Sequence, residues 1–258
     1  MKLLTYTINN IENVGIMSPD LTTVYPIKEF GYGFSSMLDL IENISQNELE
    51  SLKSRARDYT LQGIPITAVE ISAPIPNPRH DILCIGQNYT EHAIESAKFR
   101  GIEYQKPTYP VYFSKRVNKA VPHNGFISSH ADITSKLDYE AELAVIIGKE
   151  CSHVAPENVY NYIFGYTITN DISARDIQVN HKQFTFGKGL DDATPMGPYI
   201  VTIDEFDAPP VLSVKSKVNG ELRQNSSTND FIFDIPFMFS QLSAGITLYP
   251  GDIFITGT

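Results

Sequence analysis

Two glutamates, Glu140 and Glu142, lie two residues apart in an otherwise apolar run, Leu137-Asp138-Tyr139-Glu140-Ala141-Glu142-Leu143-Ala144-Val145-Ile146-Ile147. In a β-strand, alternation puts Tyr139, Ala141, Leu143, Val145 and Ile147 on one face and both glutamates on the other. Like charges at that spacing repel and resist burial, and a cation between them resolves the conflict. The competing reading is an exposed strand face with two solvated glutamates. A third carboxylate, Asp171, follows the apolar run Gly165-Tyr166-Thr167-Ile168-Thr169-Asn170. It could pair with Arg175 one helical turn later, or complete an all-oxygen site with Glu140 and Glu142. Hard oxygen donors favour Mg²⁺, Mn²⁺ or Ca²⁺ over zinc.

Asn88-Tyr89-Thr90-Glu91-His92-Ala93-Ile94-Glu95 reads as a helix start, with Asn88 as cap and His92 and Glu95 three apart on one face. A carboxylate beside an imidazole raises its basicity and orients it, which is what a general base needs; a surface His–Glu pair is the alternative. Phe186-Gly187-Lys188-Gly189-Leu190 is turn-rich, with one lysine between two glycines. Lys188 could meet an anionic oxygen near a metal, or ride on a flexible surface loop. An iron oxygenase is a rival reading, since His130-Ala131-Asp132 has HxD spacing with His153 or His181 as a third ligand.

These residues need a scaffold. Short β-like pieces (3–8 and 23–27) lead to helical patterns over 37–44 and 46–57, the second opened by a capping box of Ser45 and Glu48. The Pro-rich stretch Ala73-Pro74-Ile75-Pro76-Asn77-Pro78 can continue neither a helix nor a central strand, and a domain boundary is placed there. Beyond it, strands are predicted at 82–85, 111–113, 139–147, 164–169, 199–203, 211–218 and 253–255, with helices at 88–97, 156–162 and 235–242. Those are too few to cross over between every strand pair, so a mainly β (α+β) core with peripheral helices is expected rather than a doubly wound sheet.

The 258 residues carry 20 Lys plus Arg against 30 Asp plus Glu, a net charge of −10, so a nucleic-acid partner is not expected. The chain has no apolar run of spanning length and no recognisable signal peptide, and two cysteines, Cys84 and Cys151, build no disulfide framework. No membrane association and a cytoplasmic address are expected.

From Asp81 to Thr258 the chain resembles the fumarylacetoacetate hydrolase family, on the stretches ILCIGQNYTEHAIE, PVYFSK, LDYEAELAVIIGK, GYTITNDISARDIQ, GKGLDDATPMGPYIV and YPGDIFITGT. The resemblance implies a β-rich catalytic domain over 79–258 and a small α+β N-terminal domain over 1–75. It implies Mg²⁺ or Mn²⁺ held by Glu140, Glu142 and Asp171, a catalytic dyad of His92 and Glu95, and Lys188, Arg175, Gln178 and Thr258 facing the substrate. A homodimer is expected. The implied activity is metal-dependent chemistry on small 2-oxo acids through a metal-chelated enolate: carbon–carbon hydrolysis of acylpyruvate- or fumarylpyruvate-type substrates first, with oxaloacetate-type decarboxylation or 2-hydroxyhepta-2,4-diene-1,7-dioate-type isomerisation as alternatives. A catalytically silent carboxylate-binding member is the non-enzymatic alternative. Two departures bear on substrate choice: Gly189-Leu190 stands where a Ser-Phe pair is common, and Arg116 where a proline often follows the FSK lysine. The chain stops at Gly257-Thr258 where the family continues, so a truncated C-terminal end is expected.

Overall fold

The computed structural model describes residues 1–58, 61–99 and 101–258. The first segment forms strands β1 (Lys2–Ile8), β2 (Ile11–Met17) and β3 (Thr23–Pro26), helices α1 (Met37–Asn43) and α2 (Gln46–Asp58), and short strands β4 (Ile64–Pro65) and β5 (Glu70–Ile71). The capping box at α2 is present: Glu48 N–H donates to Ser45 Oγ at 3.3 Å, and Glu48 Oε2 accepts from Ser45 N–H at 2.9 Å.

After the prolines come β6 (Ile82–Gly86), α3 (Thr90–Phe99), β7 (Val111–Lys115), β8 (Leu137–Asp138), β9 (Ala141–Ile147), β10 (Ile163–Asn170) and β11 (Ser173–Ala174). Helices α4 (Arg175–His181) and α5 (Phe184–Lys188) follow. Strand β12 (Ile200–Thr202), the hairpin strands β13 (Ser213–Val218) and β14 (Glu221–Ser227), α6 (Ile235–Ser243) and β15 (Ile253–Ile255) complete the order. The fold is mainly β with peripheral helices, as the sequence predicts. Residues 156–162 form a 3₁₀ helix, and no helix among the described residues is long and apolar enough to cross a membrane.

The main sheet runs β4-β3-β2-β1-β12-β10-β9-β15-β6-β7, with β5 also on β1. It crosses the Pro-rich stretch without interruption, because Leu3 of β1 pairs with Ile200 of β12. Strand β9 is central, and all seven of its residues are buried. Leu143, Val145 and Ile147 pack with α6 residues Met238 and Phe239 on one side; Ala144 and Ile146 pack with Leu3, Leu40, Ile82 and Ile253 on the other. A strand covered on both faces reads as a continuous apolar run, so the competing reading of an exposed face with two solvated glutamates does not hold.

Candidate active site

The ladder between β9 and β10 sets Thr169 opposite Glu142 and Asn170 opposite Ala141. The next residues outward, Glu140 and Asp171, are tied by backbone: Asp171 N–H donates to Glu140 O at 2.7 Å, and Glu140 N–H donates to Asn170 Oδ1 at 2.8 Å. Antiparallel register therefore delivers three carboxylates to one corner. Oxygens of Glu140, Glu142 and Asp171 lie within 4.8 Å of one another, and all three residues are buried.

Each carboxylate has a different environment. Glu142 accepts from Gly257 N–H at 2.7 Å. Gly257 has φ +82°, and a Cβ there would lie 2.7 Å from Asn88 Cβ, so a glycine is needed to bring that N–H so close. Burial, then the charges of Asp171 and Glu140, push the Glu142 carboxyl well above its ordinary value. For Asp171, burial is outweighed by Lys115 and Lys188, which hold it below the usual range. Glu140 binds Lys188 Nζ at 2.5 Å and Arg175 Nη2 at 2.6 Å.

Lys188 Nζ also reaches Asp171 Oδ2 at 2.5 Å, and the lysine is 3% exposed. The expected flexible loop is instead α5, a helical turn whose last residue is Lys188. The reason is packing: a Cβ at Gly187 would lie 2.9 Å from Gln178 N and 3.0 Å from Ala174 O, so the glycine lets α5 close onto α4. The Asp171–Arg175 pair does not form; Arg175 takes Glu140 and Asp138, the latter at 2.8 Å. Gln178 Oε1 accepts from Arg175 Nη1 at 3.3 Å.

Sequence reasoning missed Lys115. It is fully buried at the end of β7, with Nζ 2.9 Å from Asp171 Oδ1 and hydrogen-bonded to the carbonyls of Ile172 (3.1 Å) and Lys188. Asp171 Oδ1 is buried with an ion-pair neighbour but no hydrogen-bond partner. An oxygen-only donor set with one unsatisfied buried lone pair suits a hard divalent cation, and Glu140, Glu142 and Asp171 would hold it.

Beside this corner lies a cavity of about 330 Å³, lined by Tyr89, Glu91, His92 and Glu95 of the α3 region, by Ala141 and Thr258, and by the β13–β14 hairpin. His92 Nδ1 is 3.8 Å from Glu95 Oε2, close enough for attraction but not hydrogen-bonded, and the Glu95 side chain is 83% exposed. Asn88 is not the cap of α3. It is buried, and its amide donates to the Phe233 and Thr256 carbonyls (3.0 and 2.8 Å) and accepts from Phe233 N–H at 2.9 Å. Tyr89 was also missed: its hydroxyl is buried and has no hydrogen-bond partner. Thr258 Oγ1 accepts from Gln224 Nε2 at 2.5 Å and contacts Ala141 O at 3.4 Å. The HxD reading fails among the described residues, where Glu140, Glu142 and Asp171 form the one cluster with metal-ligand spacing. His130 Nε2 is instead 2.8 Å from Asp191 O.

The β-rich core thus presents buried, ion-paired carboxylates beside a cavity. The sequence model of the fumarylacetoacetate (FAA) hydrolase C-terminal domain matches residues 81–258, and the chain belongs to that family. Oxaloacetate tautomerase YisK of Bacillus subtilis is 48% identical over 193 residues, covering 75% of this chain; the chain spans 63% of that relative's length. A fumarylacetoacetate hydrolase from Exiguobacterium antarcticum superposes with a TM-score of 0.78 at 32% identity, over all of this chain and 86% of that one. A maleylpyruvate hydrolase from Sphingobium, solved with manganese(II) and pyruvate, gives 0.73 at 28%, over all of this chain and 88% of that one.

Proposed function

We propose that this chain is a divalent-metal-dependent enzyme acting on small 2-oxo acids through their enols, with hydrolysis of a carbon–carbon bond in acylpyruvate- or fumarylpyruvate-type substrates as its reaction. The observation that carries this reading is the convergence of Glu140, Glu142 and Asp171 with Lys188 next to the cavity that holds His92. When bound, Mg²⁺ or Mn²⁺ supplies Lewis acidity toward the carboxylate and keto oxygens of the substrate; the manganese and pyruvate in the Sphingobium hydrolase support that assignment.

The protein's own groups do the remainder. Lys188 and Arg175 place positive charge beside Glu140, where negative charge grows on the leaving enolate. His92, oriented by Glu95, takes a proton from water as its oxygen adds to the distal carbonyl carbon; the carbon–carbon bond then breaks and its electron pair leaves on the enolate. Gln178 and Thr258 orient the substrate. With Glu142 ionised, as metal binding requires, four carboxylates (Asp138, Glu140, Glu142, Asp171) face three cations (Lys115, Lys188, Arg175), a local charge of about −1. A divalent ion reverses that sign, which favours an anionic substrate.

A second reading is favoured by the 48% identity to an oxaloacetate tautomerase: keto–enol interconversion of an oxaloacetate-type acid, which needs proton transfer at C3 but no water. The test is turnover of acylpyruvates, oxaloacetate and hydroxydienoates with Mg²⁺, with Mn²⁺ and with EDTA, alongside calorimetry with oxalate, which mimics the enolate edge of pyruvate. Metal-dependent acylpyruvate cleavage supports the first reading; tautomerisation without cleavage supports the second. Oxalate binding without any turnover makes this a silent member, and metal-independent oxalate binding overturns the proposal. A homodimer belongs to the same reading, supported by exposed Val179 and Phe186 on α4 and α5, and light scattering tests it.

A further inference from the structure

One wall of the cavity is the β13–β14 hairpin, and its pairing is irregular where it faces the site. Ser216 pairs with Gln224 and Lys217 with Leu222, so Arg223 is an extra residue on β14, a β-bulge. In a regular strand, neighbours point to opposite faces. Arg223 falls outside that alternation, and it lines the cavity together with Gln224, Asn225 and Ser226. Gln224 is firmly placed: its Oε1 accepts from Ala141 N–H at 3.1 Å and Ser216 Oγ at 2.7 Å, and its Nε2 donates to Thr258 Oγ1. Since Ala141 sits between Glu140 and Glu142, the bulge is fixed directly to the strand that carries the carboxylates.

Among the described residues, Arg223 is the one Lys or Arg in the cavity lining, and the facing α3 wall brings Glu91 and Glu95, which repel anions. Its guanidinium pairs with Glu221 at 2.9 Å, and both side chains are exposed. Such a pair is weak and exchangeable, whereas a guanidinium fork suits bidentate binding of a carboxylate.

We propose that Arg223 is a specificity-determining residue: it binds a second carboxylate at the far end of a 2-oxo acid whose near end lies at the Glu140–Glu142–Asp171 corner. Among the 2-oxo acids of the proposed function, Arg223 thereby selects the diacids over the monoacids. This rests on the proposed function, because the near end must be held at that corner.

The experiment compares matched probes on the Mg²⁺- or Mn²⁺-loaded full chain by calorimetry. Oxalate reports the near-end site. The pairs 2-oxoglutarate with 2-oxopentanoate and 2-oxoadipate with 2-oxohexanoate report the far carboxylate. The parent protein should favour at least one diacid about tenfold over its monoacid. Arg223→Met should erase that preference while oxalate affinity stays unchanged, and Arg223→Lys should restore part of it. Folding of each variant is checked by circular dichroism. Equal binding of diacids and monoacids to the parent, with oxalate bound normally, overturns the role of Arg223 alone; so does a preference that survives Arg223→Met. Failure of oxalate to bind the loaded parent overturns this proposal and the proposed function together.

Discussion

Lys115 is an ammonium group with no access to water, held by two backbone carbonyls and the charge of Asp171. Asp171 keeps Lys188 when Lys115 is removed, so Lys115→Met should cost less than the stranding of a lone buried charge, about 1 to 3 kcal/mol. Urea unfolding should show this as a lower midpoint at unchanged slope. Glu142 allows a sharper test through pH. Its folded-state value is raised, so the fold favours the protonated form. In metal-free protein its stabilising contribution is complete below the ordinary value of 4.5 and is lost as pH rises toward the raised one. Asp171 runs the other way: held low, it contributes above 3.8 and loses that contribution as pH falls through its lowered folded value. Melting scans in EDTA should therefore show Glu142→Gln removing a decline on the alkaline side while leaving the acid limb intact. The same variant should abolish stabilisation by Mg²⁺, since metal binding needs that carboxylate ionised. The acidic cluster was legible because two glutamates interrupt an apolar strand and an aspartate ends another. Lys115 was not, because a lysine closing a short strand looks like any solvated strand end until its register and cover are known. Gln224 reaches the site only through long-range contacts with Ala141 and Thr258, and Arg223 depends on a bulge, neither of which leaves a mark in hydrophobic alternation.

Helices α4 and α5 show how an element rather than a residue sets the site. Their contact carries Arg175, Gln178 and Lys188 together, and Gly187 is the point of closest approach. Gly187→Ala would push α5 outward by its new methyl, moving the Lys188 ammonium from Glu140 and Asp171 without altering any charged group. Oxalate binding to loaded protein should fall about tenfold or more while the metal still binds, since misplacement near 1 Å has effects of that order or larger; calorimetry with Mg²⁺ alone and then oxalate separates the two. The glycines flanking Lys188 pointed to a loop because glycine weakens isolated helices. Tertiary packing reverses that preference here, since the missing Cβ is what permits the contact. Asn88 carries the same lesson: its position before a helix suggested a cap, but a fully buried amide must satisfy all its polar atoms, and it does so across the loop at 231–233 and Thr256.

At the scale of the molecule, the change in texture near the prolines suggested a boundary, and the ladder between β1 and β12 crosses it. Leu3, Leu40 and Ile75 share one apolar cluster with Ile82, Ile146 and Ile255. The chain should accordingly unfold in a single calorimetric transition rather than two, and residues 79–258 expressed alone should melt at a lower temperature than the whole chain because the cluster loses its cover. Two transitions, with the later one matching that fragment, would establish separate folding units. The overall β character was legible from strand-sized apolar runs; the strand order was not, because β1 beside β12 joins residues about 200 positions apart and no local pattern encodes that. Finally, β13 and β14 form a two-stranded sheet of their own, outside the ladder that carries the carboxylates. Over evolutionary time, such a separation lets mutation act on one piece while selection preserves the other. Substitutions and length changes at the hairpin can alter which acids are accepted, while the ancestral acidic centre is inherited intact.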